Sequence, residues 1–275
     1  MTKVQPNQGL TTGGTPIEIS GAWFDEKLDY GVIPFCSIGD KIVRAQYFST
    51  VRIVCYSPPN DNLAASLPVK VSLNGVDFVD TGFFFSYYTQ PELLGLSPAS
   101  GPYQGGTEIM VKGNLFSNIT DPGTVKCRFT FKNGTDGFRQ TIPKTMPAFY
   151  IDANTMMCLS PNGFIGGDQV NIQLTFNDMD YTPVKDNMVF KFYAIFGSFP
   201  HSGPANGFHE TILVKGAGLN IGGDIKCHLN KTDVAPVSVA DDVIQCPMCL
   251  KDKDPLVTGY VQFGLNFDGT FNDFG

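Results

Sequence analysis

Tryptophan occurs once in this 275-residue chain, histidine three times, and charged side chains make up only 16% of it. Helical periodicity is also missing: no window of a dozen residues carries an apolar stripe at a spacing of 3.6, which excludes a helical architecture. No stretch reaches the roughly 20 apolar residues that a membrane-spanning helix requires. The amino-terminal Met1-Thr2-Lys3-Val4 runs straight into Gln5-Pro6-Asn7 with no apolar leader core, so the chain reads as a mature or excerpted piece. Basic residues are scattered, with no run longer than the interrupted Lys251-Asp252-Lys253, and the net charge is −7. A protein that grips nucleic acid needs a basic surface to displace counterions, so nucleic acid is excluded as a partner.

Catalytic patterns are absent as well. There is no Gly-x-Ser-x-Gly elbow, and the Gly-Gly-Thr triplets lack the Lys-Ser/Thr of a phosphate loop. His201, His209 and His228 fall in an opening turn, just before a strand, and directly after Cys227, where a surface or turn role is expected. Asp241-Asp242 and Asp252-x-Asp254 could touch calcium, but no 12-residue ligand pattern accompanies them, and solvated turn acids are the simpler reading. The chain is read as no enzyme, with no cofactor and no metal.

What the chain does have is one phrase written three times: QPNQGLTTGGTPIEISGAWF from Gln5, SPASGPYQGGTEIMVKGNLF from Ser97, and a worn FPHSGPANGFHETILVKGAGL from Phe199. Pro6 and Pro98 stand 92 residues apart, as do Gly13 and Gly105, Gly14 and Gly106, Thr15 and Thr107, Gly21 and Gly113. A period of roughly 90–100 residues fits a complete small domain rather than a solenoid unit. Three domains follow: 1–90, 91–195 and 196–275, the last incomplete.

Within each repeat the code is β. Thr15–Ser20, Val51–Cys55 and Pro68–Leu73 alternate apolar and polar residues and are rich in Val and Ile. Gly, Pro, Asn and Asp punctuate them every 8–12 residues. Hairpin turns are expected at Asn74-Gly75, Asn177-Asp178 and Asp268-Gly269. Short strands with one cysteine pair across the middle describe immunoglobulin-like sandwiches.

The opening phrase, the Cys…Cys-x-Ser-Pro of the second repeat and the Asn-Gly hairpin resemble the IPT/TIG domain. The resemblance is strong for repeat two, good for repeat one and weaker in repeat three, where Asn206-Gly207-Phe208 replaces Gly-Gly-Thr. It implies an all-β fold of three tandem immunoglobulin-like sandwiches. The family spans plexin-type ectodomains, surface proteins, arms of carbohydrate enzymes and DNA-binding factors, so it does not by itself give a function.

Six of the seven cysteines fall into within-repeat pairs, predicting disulfides Cys36–Cys55, Cys127–Cys158 and Cys227–Cys246. Reduced core thiols are the alternative, which the recurrence of one pair per repeat disfavours. Cys249 stands where the other repeats have Pro58 and Pro161, and is either a free thiol or an intermolecular bridge. Sequons at Asn118, Asn133 and Asn230 predict N-linked glycans on an extracellular protein.

Repeats one and two finish in aromatic strands, Thr81–Tyr88 and Asn187–Ala194, whereas repeat three reaches Gly275 where such a strand is due. Either the chain continues, or a neighbour supplies the strand head-to-tail and the protein polymerises. The leading expectation is a glycosylated structural subunit of a surface fibre that self-associates. The alternatives are a receptor or adhesin ectodomain for a protein or glycan ligand, and the non-catalytic arm of a carbohydrate-active enzyme.

Overall fold

A computed structural model of the chain describes residues 1–22, 24, 33–60, 66–116, 124–132, 142–202, 211–229, 232–247, 262–267 and 269–273. All of its regular elements are strands. The first sandwich comprises β1 (Lys3–Gln5), β2 (Gln8–Leu10), β3 (Pro16–Ser20), β4 (Phe35–Ile38), β5 (Lys41–Ser49), β6 (Arg52–Tyr56), β7 (Ser66–Ser72) and β8 (Val79–Tyr88). One sheet runs β1-β3-β6-β5 and the other β5-β4-β7-β8-β2.

Two strands serve both sheets in turn. Arg44 of β5 pairs with Phe35 of β4, whereas Ala45 already faces Cys55 of β6. The opening strand divides likewise: β1 lies antiparallel to β3, and after the cis Gln5–Pro6 peptide β2 lies parallel to β8. Strands that change sheets in this way close the corners of the sandwich.

The second sandwich repeats the plan with β9 (Glu92–Ser97), β10 (Ser100–Pro102), β11 (Glu108–Asn114), β12 (Lys126–Phe131), β13 (Lys144–Asp152), β14 (Thr155–Leu159), β15 (Gln169–Thr175) and β16 (Val189–Phe199). The third holds β17 (Thr211–Ala217), β18 (Ile225–Leu229), β19 (Thr232–Val234), β20 (Ser238–Val239), β21 (Val243–Pro247), β22 (Phe263–Phe267) and β23 (Thr270–Asp273). β16 carries on past the expected boundary at 195: Gln169–Asn171 pair with its first half and β17 with its second.

Each sandwich encloses its own core, because alternation turns every second side chain inward. Ile17, Ile19, Ile53, Val69 and Phe85 fill the first, Ile109, Val111, Phe129, Ile172 and Phe190 the second, and Val214, Ile244 and Leu265 the third. In each core one disulfide joins the two sheets: Cys36–Cys55, Cys127–Cys158 and Cys227–Cys246, with Cα atoms 6.3, 6.3 and 5.7 Å apart. All six cysteines are fully buried.

The Gly-Gly-Thr turns need their glycines. Gly105 has φ +84°, and a Cβ there would stand 2.8 Å from the Ser160 carbonyl oxygen and the Asn162 nitrogen. A left-handed backbone pressed against another strand's main chain admits no side chain at low cost. The turn delivers the threonine to the core edge, where Thr107 N donates to Ser160 Oγ (2.9 Å) as Thr15 N does to Ser57 Oγ (3.1 Å).

Candidate functional site

The described residues bring no three His, Cys, Asp or Glu side chains together in a group that could hold a metal ion, and contain no helix long and apolar enough to cross a membrane. What the fold builds with most care is the joint between successive sandwiches. Its gripping part is the hairpin tip after β15. Asn177 Oδ1 accepts from Met179 N (3.0 Å) and Asp180 N (2.8 Å), while its Nδ2 donates to Asp180 Oδ2 (2.8 Å). Asp178 takes φ +63° to close the loop, a conformation that Asp tolerates better than most residues. The side is buttressed by Arg128, whose guanidinium lies 3.6 Å from the Tyr181 ring centroid, and by the Lys126–Asp178 ion pair.

This preformed tip grips the first sandwich. Thr15 Oγ1 donates to Asp180 Oδ2 (2.6 Å), Gln8 Nε2 to the Phe176 carbonyl (2.6 Å), and Asn177 Nδ2 to the Gln8 carbonyl (3.1 Å). Phe176, 1% exposed, packs against Tyr88 of the first sandwich at 5.8 Å and Phe116 of the second at 6.2 Å between centroids. The contacts bridge 165 to 169 residues of sequence around the linker Thr89-Gln90-Pro91.

The second joint reuses the aromatic contact but not the bonds made by Thr15, Gln8, Asn177 and Asp180. Tyr193, the counterpart of Tyr88, packs on Phe267, the counterpart of Phe176, at 4.5 Å, and its hydroxyl donates to Asn272 Oδ1 (3.2 Å). Thr107 Oγ1 and Ser100 Oγ, which correspond to Thr15 Oγ1 and Gln8, are buried without a hydrogen-bond partner among the described residues. In the third sandwich Phe267 pairs directly with Thr270, and the sequence joining β22 to β23 holds no Asn-x-x-Asp. Strand continuity through β16 replaces the polar latch.

Burial sets the acid–base character of the joint. Tyr87, whose hydroxyl donates to the Pro58 carbonyl (2.8 Å), is pushed up to about 12 by desolvation. Tyr88 is raised further, by burial first and then by the Asp180 carboxylate. Both phenols are neutral when folded, and a folded pKa above the ordinary tyrosine value of 10.0 means that the unfolded chain ionises first. Their contribution to stability is therefore complete below pH 10 and is lost as pH rises from there through about 12. We expect ultraviolet titration to show these two tyrosines ionising only as the protein unfolds in alkali. Simple titration of all ten tyrosines near pH 10 would contradict the joint geometry.

Asn118, Asn133, Asn230, Cys249 and His209 lie outside the described residues. His201 is exposed. His228 sits within β18 rather than in a turn, its Nδ1 2.7 Å from Asp233 Oδ1 and its ring edge-on to Phe271. Asp241 and Asp242 contribute backbone carbonyls to Leu219 N and Gly216 N. Sequence reasoning missed Gln8, Thr15 and Asp180. The one signal for them was a shared spacing, Asn74-x-x-Asp77 and Asn177-x-x-Asp180.

Comparison with known proteins agrees with this architecture. A family model described as the IPT/TIG domain matches residues 1–87 and 91–192. Mouse plexin-A3 is 25% identical over 171 residues, which is 62% of this chain and 8% of that protein. Human fibrocystin-L is 29% identical over 140 residues, 48% of this chain and 3% of that protein. The full extracellular region of plexin A4 superposes with a TM-score of 0.46 at 15% identity, covering 98% of this chain and 21% of that one. The chain spans less than a tenth of the length of these curated relatives. With the family model matching most of its length, and with sandwiches, turns and disulfides repeated as described, the chain belongs to the IPT/TIG domain family.

Proposed function

We propose that the chain is an extracellular segment of a receptor or adhesin, which holds its IPT/TIG sandwiches in a fixed row and binds a protein ligand without catalysis. The carrying observation is the closed first joint, in which three hydrogen bonds and an aromatic contact fix one sandwich on the next. A disulfide across each core supports the extracellular side of the reading, since such bonds persist in oxidising compartments. The plexin relatives support the receptor side.

The test is binding of the multimerised chain to an array of purified secreted and cell-surface proteins. Saturable binding to one or a few of them is the expected result; no binding across the array sinks the reading. A second reading is a self-associating fibre subunit, in which a neighbour's strand would pair with β23 at the edge of its sheet. Electron microscopy of the native material separates the two, since regular filaments belong to the second and dispersed particles to the first. N-glycans at Asn118, Asn133 and Asn230, and a free Cys249 thiol or an intermolecular bridge through it, accompany either reading.

A further inference from the structure

The first sandwich carries a tip built like the one with which the second grips it. Asn74 Oδ1 accepts from Val76 N (2.9 Å) and Asp77 N (2.8 Å), and Asn74 Nδ2 donates to Asp77 Oδ2 (2.8 Å). These bonds match those of Asn177, Met179 and Asp180 one for one. Ser72 Oγ takes the part of Thr175 Oγ1 in receiving the asparagine N–H. Gly75, at φ +75°, occupies the left-handed position held by Asp178 at φ +63°. Register fixes the equivalence, because Val71 faces Cys36 as Leu174 faces Cys127.

The two tips differ in what covers them. Phe176 and Asn177 are 1% and 2% exposed, whereas Leu73 is 36% exposed and Asn74 and Asp77 are open to solvent. The first sandwich's end takes the Asp180 tip, and the second's end takes Phe267.

We propose that Leu73, Asn74 and Asp77 form an interaction surface for the opening-turn end of a further IPT/TIG sandwich. That end presents a threonine hydroxyl for Asp77, a backbone carbonyl for Asn74 Nδ2 and a last-strand aromatic ring for Leu73, as Thr15, Gln8 and Tyr88 do for the second sandwich. The surface rests on the joint geometry and does not require the receptor reading.

Two arms test it. In the first, Thr175→Ser, Phe176→Leu, Asp178→Gly and Met179→Val together write the first tip onto the second sandwich. The joint is expected to stay closed, with Tyr88 still resisting ionisation and the scattering profile unchanged. An opened joint, seen as Tyr88 titrating near the ordinary tyrosine value, overturns the proposal. In the second arm, immobilised chain carrying Phe176→Ala, Asn177→Ala and Asp180→Ala, which uncovers Tyr88 and removes the side-chain bonds to Thr15 and to the Gln8 carbonyl, is the probe for wild-type chain in solution. Saturable binding that Asp77→Ala weakens about ten- to hundredfold is expected, since a hydrogen bond to a charged group is lost. No binding at millimolar wild-type chain, or binding that Asp77→Ala leaves unchanged, overturns it. Thermal melting of Asp77→Ala serves as the control, because the residue is exposed and its loss should leave the core intact.

Discussion

Replacing Phe176 by Ala is expected to cost the second sandwich about 3–5 kcal/mol, the usual range for a buried phenylalanine. The ring is 1% exposed and belongs at once to the second core, through Phe116, and to the joint, through Tyr88. Its removal therefore acts twice. A domain of about 100 residues loses roughly 4–8 °C per kcal/mol, so calorimetry should show the second sandwich melting well over 10 °C earlier. The first sandwich, released from its neighbour, should melt as a separate transition near its own temperature. Tyr88 provides an independent readout: with Phe176 gone its ring is more exposed and its ionisation should fall back towards pH 10. A fall below 1 kcal/mol with Tyr88 unchanged would mean that the joint carries no weight.

The second large effect concerns the disulfides. Removing Cys127–Cys158 by double substitution to Ala should destabilise its sandwich by about 3–4 kcal/mol on the loop-entropy account, with a cavity cost added because both residues are fully buried. The other two pairs close shorter loops, 19 residues apart against 31. The entropic difference between them is only about half a kcal/mol, because the cost grows with the logarithm of loop length. Urea unfolding of the three double variants should thus give similar losses, largest for Cys127–Cys158. A variant that unfolds at the wild-type midpoint would show that its pair does not constrain the chain. Alkylation before and after reduction checks the starting state, since the six cysteines should label only after reduction and unfolding.

Much of the architecture was legible in the residues. The triplicated phrase, the β alternation and one cysteine pair per repeat led to three sandwiches with sheets joined in the core. These features are local, or recur at a fixed interval, and both kinds of pattern survive in a linear string. The hairpin expected at Asn74-Gly75 lies in the β7–β8 connection, although it forms a side-chain-bonded loop rather than a two-residue turn. Asp268 of the third expected hairpin lies outside the described residues, while the flanking Phe267 and Thr270 pair directly. The reason lies in the asparagine: Asn74 and Asn177 can satisfy two backbone N–H groups with one side-chain oxygen, which stabilises a wider loop.

The switching of β5 between sheets and the division of the opening strand at Pro6 leave no such mark. Alternation records which face is buried, not which neighbour is paired. The joint is more hidden still. Leu73 and Phe176 hold the same place in the repeat and read alike as apolar residues at a loop, yet one is 36% exposed and the other 1%. The asparagine-to-aspartate bonds that shape the two loops match, so they do not separate Asp77 from Asp180. By itself the sequence determined the sandwiches, their number and their internal cross-links, because burial within a domain is written in periodicity and in cysteine recurrence. Which tip grips a neighbour and which faces solvent was decided only by tertiary structure, because that depends on where a second sandwich comes to rest across more than 160 residues of chain.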